Sequence, residues 1–193
     1  MIDIKNAALV VIDVQNTFVK DPTRHVVPVI KGLVEAWQKA GLPVVFTRVF
    51  HPKGGATEAF TAGYGFPNWG FGEEGPTAIV PELAPMAQTV FKKETYGSLT
   101  LELQALIRQQ GWTSLFFCGI ATNRCVLKTA IDAFDLRLHP YIIQDACAPL
   151  GGAEQQQAAL QAFDGFVGPE NILDSAQVLA LISSHASSVS AQE

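Results

Sequence analysis

Short apolar runs alternate with longer stretches of helical periodicity along almost the whole chain. Residues 7–12 are continuously apolar and stop at Asp13, the pattern of a strand covered on both faces. After a polar turn, Val26, Val29, Ile30, Leu33, Val34 and Trp37 recur at helical spacing up to a stop at Gly41. Residues 43–47 predict a second strand and 89–91 a short third, and Leu99, Leu103, Leu106 and Ile107 line a helix that ends before Gly111. Residues 115–118 predict a fourth strand, closed by Gly119. It is followed by a helix bearing Val126, Leu127, Ala130, Ile131 and Phe134, with Thr122 at the natural N-cap position. A strand at 140–143, a helix near 154–163, a short strand at 171–173 and a helix from about Ser175 complete the series. Strands alternating with helices imply a three-layer α/β/α, Rossmann-like fold whose mostly parallel sheet has about six strands. One domain is expected over residues 1–182, with the Ser/Ala-rich residues 183–193 frayed.

Residues 50–87 break this rhythm with a long connection rich in glycine and aromatic residues. Connections of that length in compact domains are usually functional or disordered, and the aromatics argue against disorder. The segment reads as a pocket wall, lid or subunit contact, or as a surface loop packed by its own side chains. It contains a literal GxGxxG, Gly70 to Gly75, that follows no strand, precedes Pro76 and carries two glutamates where a phosphate would approach, so it is set aside as a dinucleotide site.

Composition narrows the class. The chain has 193 residues, 48% of them hydrophobic, enough for one well-buried domain and short for two. A net charge of -5 without a Lys/Arg block gives no electrostatic footprint for nucleic acid or anionic membrane. Its N-terminus lacks the pattern of a secretion signal, and no apolar run approaches the roughly 18 residues of a membrane span. Three cysteines without a CxxC argue for a reducing compartment, so a cytoplasmic protein is expected.

The candidate chemistry lies at the strand ends. Cys125 falls at the third position of a helix counted from Thr122, beside unpaired N–H groups and the positive end of the dipole, which favour a thiolate. Asp13 ends the first strand and Lys92-Lys93 the third. Ligands of open parallel sheets bind beyond the carboxyl ends of the strands, so these groups converge on one rim. Asp13 as base, Cys125 as nucleophile and one of the two lysines as the partner of the carboxylate would hydrolyse a small amide through a thioester. Cys118, inside an apolar strand, and Cys147, in a loop, read as structural.

Three ordered motifs, ALVVIDVQNTF at 8–18, VFKKETYGSL at 90–99 and GIATNRCV at 119–126, resemble those of the isochorismatase-like cysteine hydrolase superfamily. That superfamily includes nicotinamidases, N-carbamoylsarcosine amidases, ureidoacrylate amidohydrolases and isochorismatases. The resemblance spans roughly residues 7–148 and implies that Asp13, Lys93 and Cys125 form a catalytic triad. It also implies a cis peptide between Ile120 and Ala121, and an oxyanion hole made by the N–H groups of Ala121 and Cys125. Homodimers or homotetramers are its usual assemblies. Nicotinamidases carry a metal-binding set that begins D-x-H after the second strand; this chain has Val49-Phe50-His51, so no metal and no other cofactor is expected. His51 is then either a substrate contact or a loop histidine, and Asn16 either a pocket residue or a turn former. Arg48, Phe66, Trp69 and Arg124 are further candidates for the pocket wall, with packing as the other role for the aromatics. The implied reaction is metal-free hydrolysis of a small amide, ureide or lactam. An Asp13-centred hydrolase of a vinyl ether, and a redox or binding protein using an activated thiol, stay open beside it.

Overall fold

The computed structural model describes residues 2, 4–55, 57 and 71–190. Its centre is a six-stranded, wholly parallel sheet in the order β3-β2-β1-β4-β5-β6, formed by β1 (Ala7–Ile12), β2 (Val44–Val49), β3 (Val90–Lys93), β4 (Ser114–Ile120), β5 (His139–Ala148) and β6 (Ile172–Leu173). The connecting helices are α1 (Val26–Lys39), α2 (Leu101–Gln110), α3 (Leu127–Asp135), α4 (Ala153–Val167) and α5 (Ser175–Ser190). Helices α1 and α5 pack together on one side of β5, and α3 and α4 pack together against the same strand.

The two central strands are the two most apolar runs of the sequence. Every residue of β1 and β4 is buried, because both faces of each are covered by helices. Trp37 from α1 meets Phe116 edge-on with ring centroids 5.1 Å apart, and Phe116 stacks on Tyr141 of β5 at 4.7 Å. Fully burying side chains of this kind stabilises the fold by about 1.5–3 kcal/mol each. Local signals set the ends of α2: the Thr100 hydroxyl accepts from the Leu103 amide, and Gly111 closes the helix at φ 68°.

Three expectations change. Strand β3 runs to Lys93 rather than stopping at residue 91, so the lysine belongs to the sheet. Residues 183–190, expected to fray, continue α5, where the hydroxyls of Ser183 and Ser184 donate to the carbonyls of Leu179 and Ala180 one turn back. Residues 122–126 form a wide π turn instead of the first turn of a regular helix.

The strand order reverses between β1 and β4. The chain builds outward from β1 through β2 to β3, then returns to the other side of β1 for β4. A crevice at the carboxyl ends of these two strands is where such a sheet holds ligands. Gly119 makes the crevice possible. At φ 127° it passes so close to β1 that a Cβ there would sit 2.0 Å from the Ile12 carbonyl oxygen, so only glycine lets the two strand ends meet.

Candidate active site

Asp13 leaves β1 with φ 53° and its amide donates to the Thr47 carbonyl of the neighbouring strand at 3.1 Å. This conformation, uncommon for a residue with a Cβ, is fixed by the sheet next to it. The carboxylate is fully buried and its two oxygens differ. The Thr47 hydroxyl donates to Oδ1 at 3.2 Å, whereas Oδ2 lies 2.8 Å from the Lys93 ammonium. That approach is an ion pair rather than an aligned hydrogen bond, so Oδ2 keeps a lone pair without a donor. Lys93 spends two of its hydrogens on the carbonyls of Thr95 and Tyr96, each at 2.9 Å. Burial pulls the Lys93 ammonium down, but Asp13 first and then Cys125 outweigh it and hold Lys93 above the ordinary lysine value. A buried lysine with three polar partners therefore stays cationic.

Cys125 completes the cluster from the far side of the crevice. The Ile120–Ala121 peptide is cis, and Ala121 enters the next turn extended, at φ −103° and ψ 143°. Its carbonyl accepts from Arg124 at 3.0 Å and Val126 at 3.2 Å, stepping over Cys125. Such a π turn widens the helix entrance and is common at functional sites. Thr122 is not the cap expected of it. Its hydroxyl is buried without a partner, because the chain enters the turn through Ala121. The thiol of Cys125 is close enough to Asp13 and Lys93 for both charges to act on it, the carboxylate against the anion and the ammonium for it.

The expected lowering of the thiol is not found. Burial above all, and then the charge of Asp13, push Cys125 up to about 12, with Lys93 offsetting only part of the rise. The resting nucleophile is a thiol. Burial likewise raises Cys118, and Cys147 to about 12, so neither presents a reactive thiolate.

Two further residues of the first motif act as clamps. Gln15 is fully buried: its Nε2 donates to the carbonyls of Val49 and Thr77 at 3.0 and 2.8 Å, and its Oε1 accepts from the Val49 amide at 2.8 Å. Asn16 is exposed and donates to the Gly75 carbonyl at 2.9 Å, tying residues 73–80 to the rim, so its side chain is a loop anchor. His51 is buried, with Nε2 2.8 Å from the Glu94 carbonyl and its ring edge-on to Phe71. It secures the loop after β3. Arg48 is engaged by Glu74 at 2.7 Å and leans on Phe50, and this pairing holds the Glu74 carboxylate below the usual range. Arg124 is exposed beside Cys125. Phe66 and Trp69, the aromatic candidates, lie outside the described residues. Among the described residues no three His, Cys, Asp or Glu side chains gather in a group that could hold a metal ion.

Sequence reasoning missed the hydroxyl residues behind the cluster. Thr47, Ser98 and Thr129 are all buried: Thr47 and Ser98 hydroxyls lie 3.3 Å apart, the Ser98 amide donates to the Thr129 hydroxyl at 3.0 Å, and that hydroxyl donates to the Cys125 carbonyl at 2.6 Å. The available signal was positional, since Thr47 stands in register with Ile12, one residue before Asp13.

A doubly wound parallel sheet with a buried carboxylate, ammonium and thiol at its switch point defines a Rossmann-like protein equipped for nucleophilic chemistry. The Isochorismatase domain model matches residues 7–171, and the chain belongs to that family. It is 29% identical to the ureidoacrylate amidohydrolase RutB of Stutzerimonas stutzeri over 194 residues, which cover 83% of this chain and 77% of the relative. Among solved structures, a cysteine hydrolase from Pseudomonas syringae pv. phaseolicola superposes with TM-score 0.85 at 20% identity, over 95% of each chain. The nicotinamidase PncA of Bacillus subtilis superposes with TM-score 0.75 at 26% identity, over 88% of this chain and 99% of its own.

Proposed function

We propose that this protein is a cysteine amidohydrolase that cleaves a C–N bond of a small amide or ureide. The observation that carries the reading is the convergence of Asp13, Lys93 and Cys125 on the crevice between β1 and β4. Relatives named as amidohydrolases of small substrates support the reaction type.

Cys125 transfers its proton to Asp13 as its sulfur attacks the substrate carbonyl carbon. Oδ2, the carboxylate oxygen without a donor, is the acceptor the arrangement leaves available. The oxyanion that forms is held by the N–H groups of Ala121 and Cys125, a preorganised pair whose members are typically worth about 3 kcal/mol each. The tetrahedral adduct collapses, the C–N bond breaks, and the amine leaves with the proton from Asp13. Water then gives a proton to the same carboxylate while its oxygen attacks the thioester, releasing the acid and restoring the thiol. Lys93 remains cationic throughout and stabilises the carboxylate in each half of the cycle.

The chemistry of the donor set supports a reaction run without a metal. Val49 stands where nicotinamidases begin their metal set, and His51 is committed to the Glu94 carbonyl. The test is Cys125→Ala assayed for ammonia or amine release against a panel of small amides, ureides and lactams. The reading requires loss of hydrolysis; undiminished release by the variant refutes it, and hydrolysis of a vinyl ether by both proteins would favour an Asp13-centred reaction instead.

A further inference from the structure

The two oxygens of Asp13 have different surroundings, Lys93 against Oδ2 and a buried hydroxyl on Oδ1. Oδ1 accepts from the Thr47 hydroxyl, whose single hydrogen is thereby used. The Ser98 hydroxyl, 3.3 Å from that of Thr47, must then donate to it rather than accept. A directed chain results, from Ser98 through Thr47 to Asp13. The Ser98 amide donates in turn to Thr129, which donates to the carbonyl of Cys125, so one hydrogen-bonded path joins the base to the backbone of the nucleophile. Thr47, Ser98 and Thr129 are each no more than 1% exposed. Hydroxyls buried that deeply destabilise a fold unless bonded, and here each has its partner.

We propose that Thr47, backed by Ser98, is the positioning residue that locks the Asp13 carboxylate in rotation and reserves Oδ2 for the proton of Cys125. The proposal rests on the amidohydrolase reading for its meaning in turnover. A carboxylate is symmetric about its C–C bond, and the Thr47 donor on Oδ1 adds to the Lys93 ion pair on Oδ2 a second point that fixes its rotation. The titratable groups against Asp13 are Lys93 from β3 and Cys125 from the turn after β4, while β2 and the segment before α2 present the uncharged Thr47 and Ser98. A donor to Oδ1 therefore favours the ionised carboxylate, the form that can receive a proton.

Thr47→Val, which keeps the shape and removes the hydroxyl, separates this role from packing. With a substrate found by the amide panel, kcat should fall on the order of tenfold to a hundredfold, the loss expected for a charge-assisted hydrogen bond, with KM within about twofold. The acid limb of the pH–rate profile should move to higher pH. Thr47→Ser, which restores the hydroxyl, should recover most of the loss. A second readout needs no substrate: the rate at which iodoacetamide alkylates Cys125 across a pH series, followed by intact mass. Alkylation runs through the thiolate, which the Asp13 charge disfavours, so at the acid end of the series, where the less firmly held carboxylate of Thr47→Val takes up a proton first, the variant should be alkylated faster than the wild type. Should the wild type hydrolyse no amide, the amidohydrolase reading fails, yet the alkylation series still decides the role of Thr47. Ser98→Ala covers the case in which Thr47→Val does not fold, and should shift the limb the same way by a smaller amount. Wild-type kcat and an unmoved acid limb in the folded variant, or a Thr47→Ser protein as impaired as Thr47→Val, overturn the proposal.

Discussion

Asp13→Asn is the perturbation that most directly tests how a thiol held near 12 reacts at neutral pH. At pH 7 such a thiol holds roughly one part in 10^5 as thiolate, a deficit of about 7 kcal/mol that a positioned base must offset during attack. Asparagine is nearly isosteric and accepts no proton. Hydrolysis should fall on the order of 10^3-fold, within the range for a lost general base, and the acid limb of the profile should disappear, leaving a rate that climbs with pH. The same substitution removes the charge that helps push the thiol up while the Lys93 charge that pulls it down remains. Alkylation of Cys125 at pH 9 should therefore be faster in the variant than in the wild type. Opposite movement of the two rates is the signature, because a distorted site would slow both or expose the thiol without regard to pH. Removing one partner of a buried ion pair typically costs about 3–5 kcal/mol, so both assays belong at a temperature where circular dichroism shows the variant folded. Hydrolysis within tenfold of wild type at pH 7, or an acid limb that persists, refutes Asp13 as the base.

Other elements give sharper tests of the scaffold. Gly119→Ala would set a Cβ 2.0 Å from the Ile12 carbonyl oxygen at φ 127°, and should cost more than about 4 kcal/mol in a guanidinium titration; a loss under 1 kcal/mol would mean that the strand ends are not in contact. Gln15→Leu removes three hydrogen bonds and orphans the Val49 amide. It should cost about 3 kcal/mol and speed hydrogen exchange at the amides of Asn16, Thr17 and Val80, which bridge to residues 76–78 and to Val14. Cys125 and Cys147, raised from the ordinary 9.0 to about 12, contribute stability that is complete below pH 9 and is lost as pH rises toward 12, and Cys118, also raised, acts in the same direction. At pH 10 Cys125 and Cys147 each contribute about 1.4 kcal/mol less than at neutral pH, about 3 kcal/mol together. Lys93, raised above 10.5, adds its own loss beyond that pH. Unfolding titrations at pH 8 and pH 10 that give equal stability would contradict this burial.

The parts of the fold that were legible are those decided by local or strictly periodic chemistry. Strands β1 and β4 could be read because burial on both faces demands unbroken apolar runs, and α2 because Thr100 and Gly111 satisfy its ends through their own side-chain and backbone preferences. Lys93 could be separated from Lys92 only through the resemblance of residues 90–99 to a family motif, and pleating sends the former inward and the latter to solvent. The π turn was not legible, because it depends on the path of the chain through Ala121 rather than on any preference of Thr122. Asn16, His51 and Arg48 carry polar groups that suit a pocket equally well. Only the positions of Gly75, Glu94 and Glu74, brought near by the fold, show that these side chains are taken up in holding loops.

The thiol of Cys125 illustrates why a local electrostatic argument can point the wrong way. A helix start stabilises an anion by up to about 2 kcal/mol in favourable geometry. Burial, together with the charge of Asp13, raises the thiol from 9.0 to about 12, which corresponds to about 4 kcal/mol against the anion even after Lys93 has acted. The larger effect is set by tertiary structure, through β1 delivering a carboxylate to the same crevice. Its consequence for reactivity is specific. The anion is not stored at the resting site but formed only when a carbonyl is in place to receive the sulfur and backbone donors to receive the charge. The cysteine is thereby kept from indiscriminate alkylation and oxidation, and the rate at which it reacts becomes a property of Asp13 and of the hydroxyls that hold it.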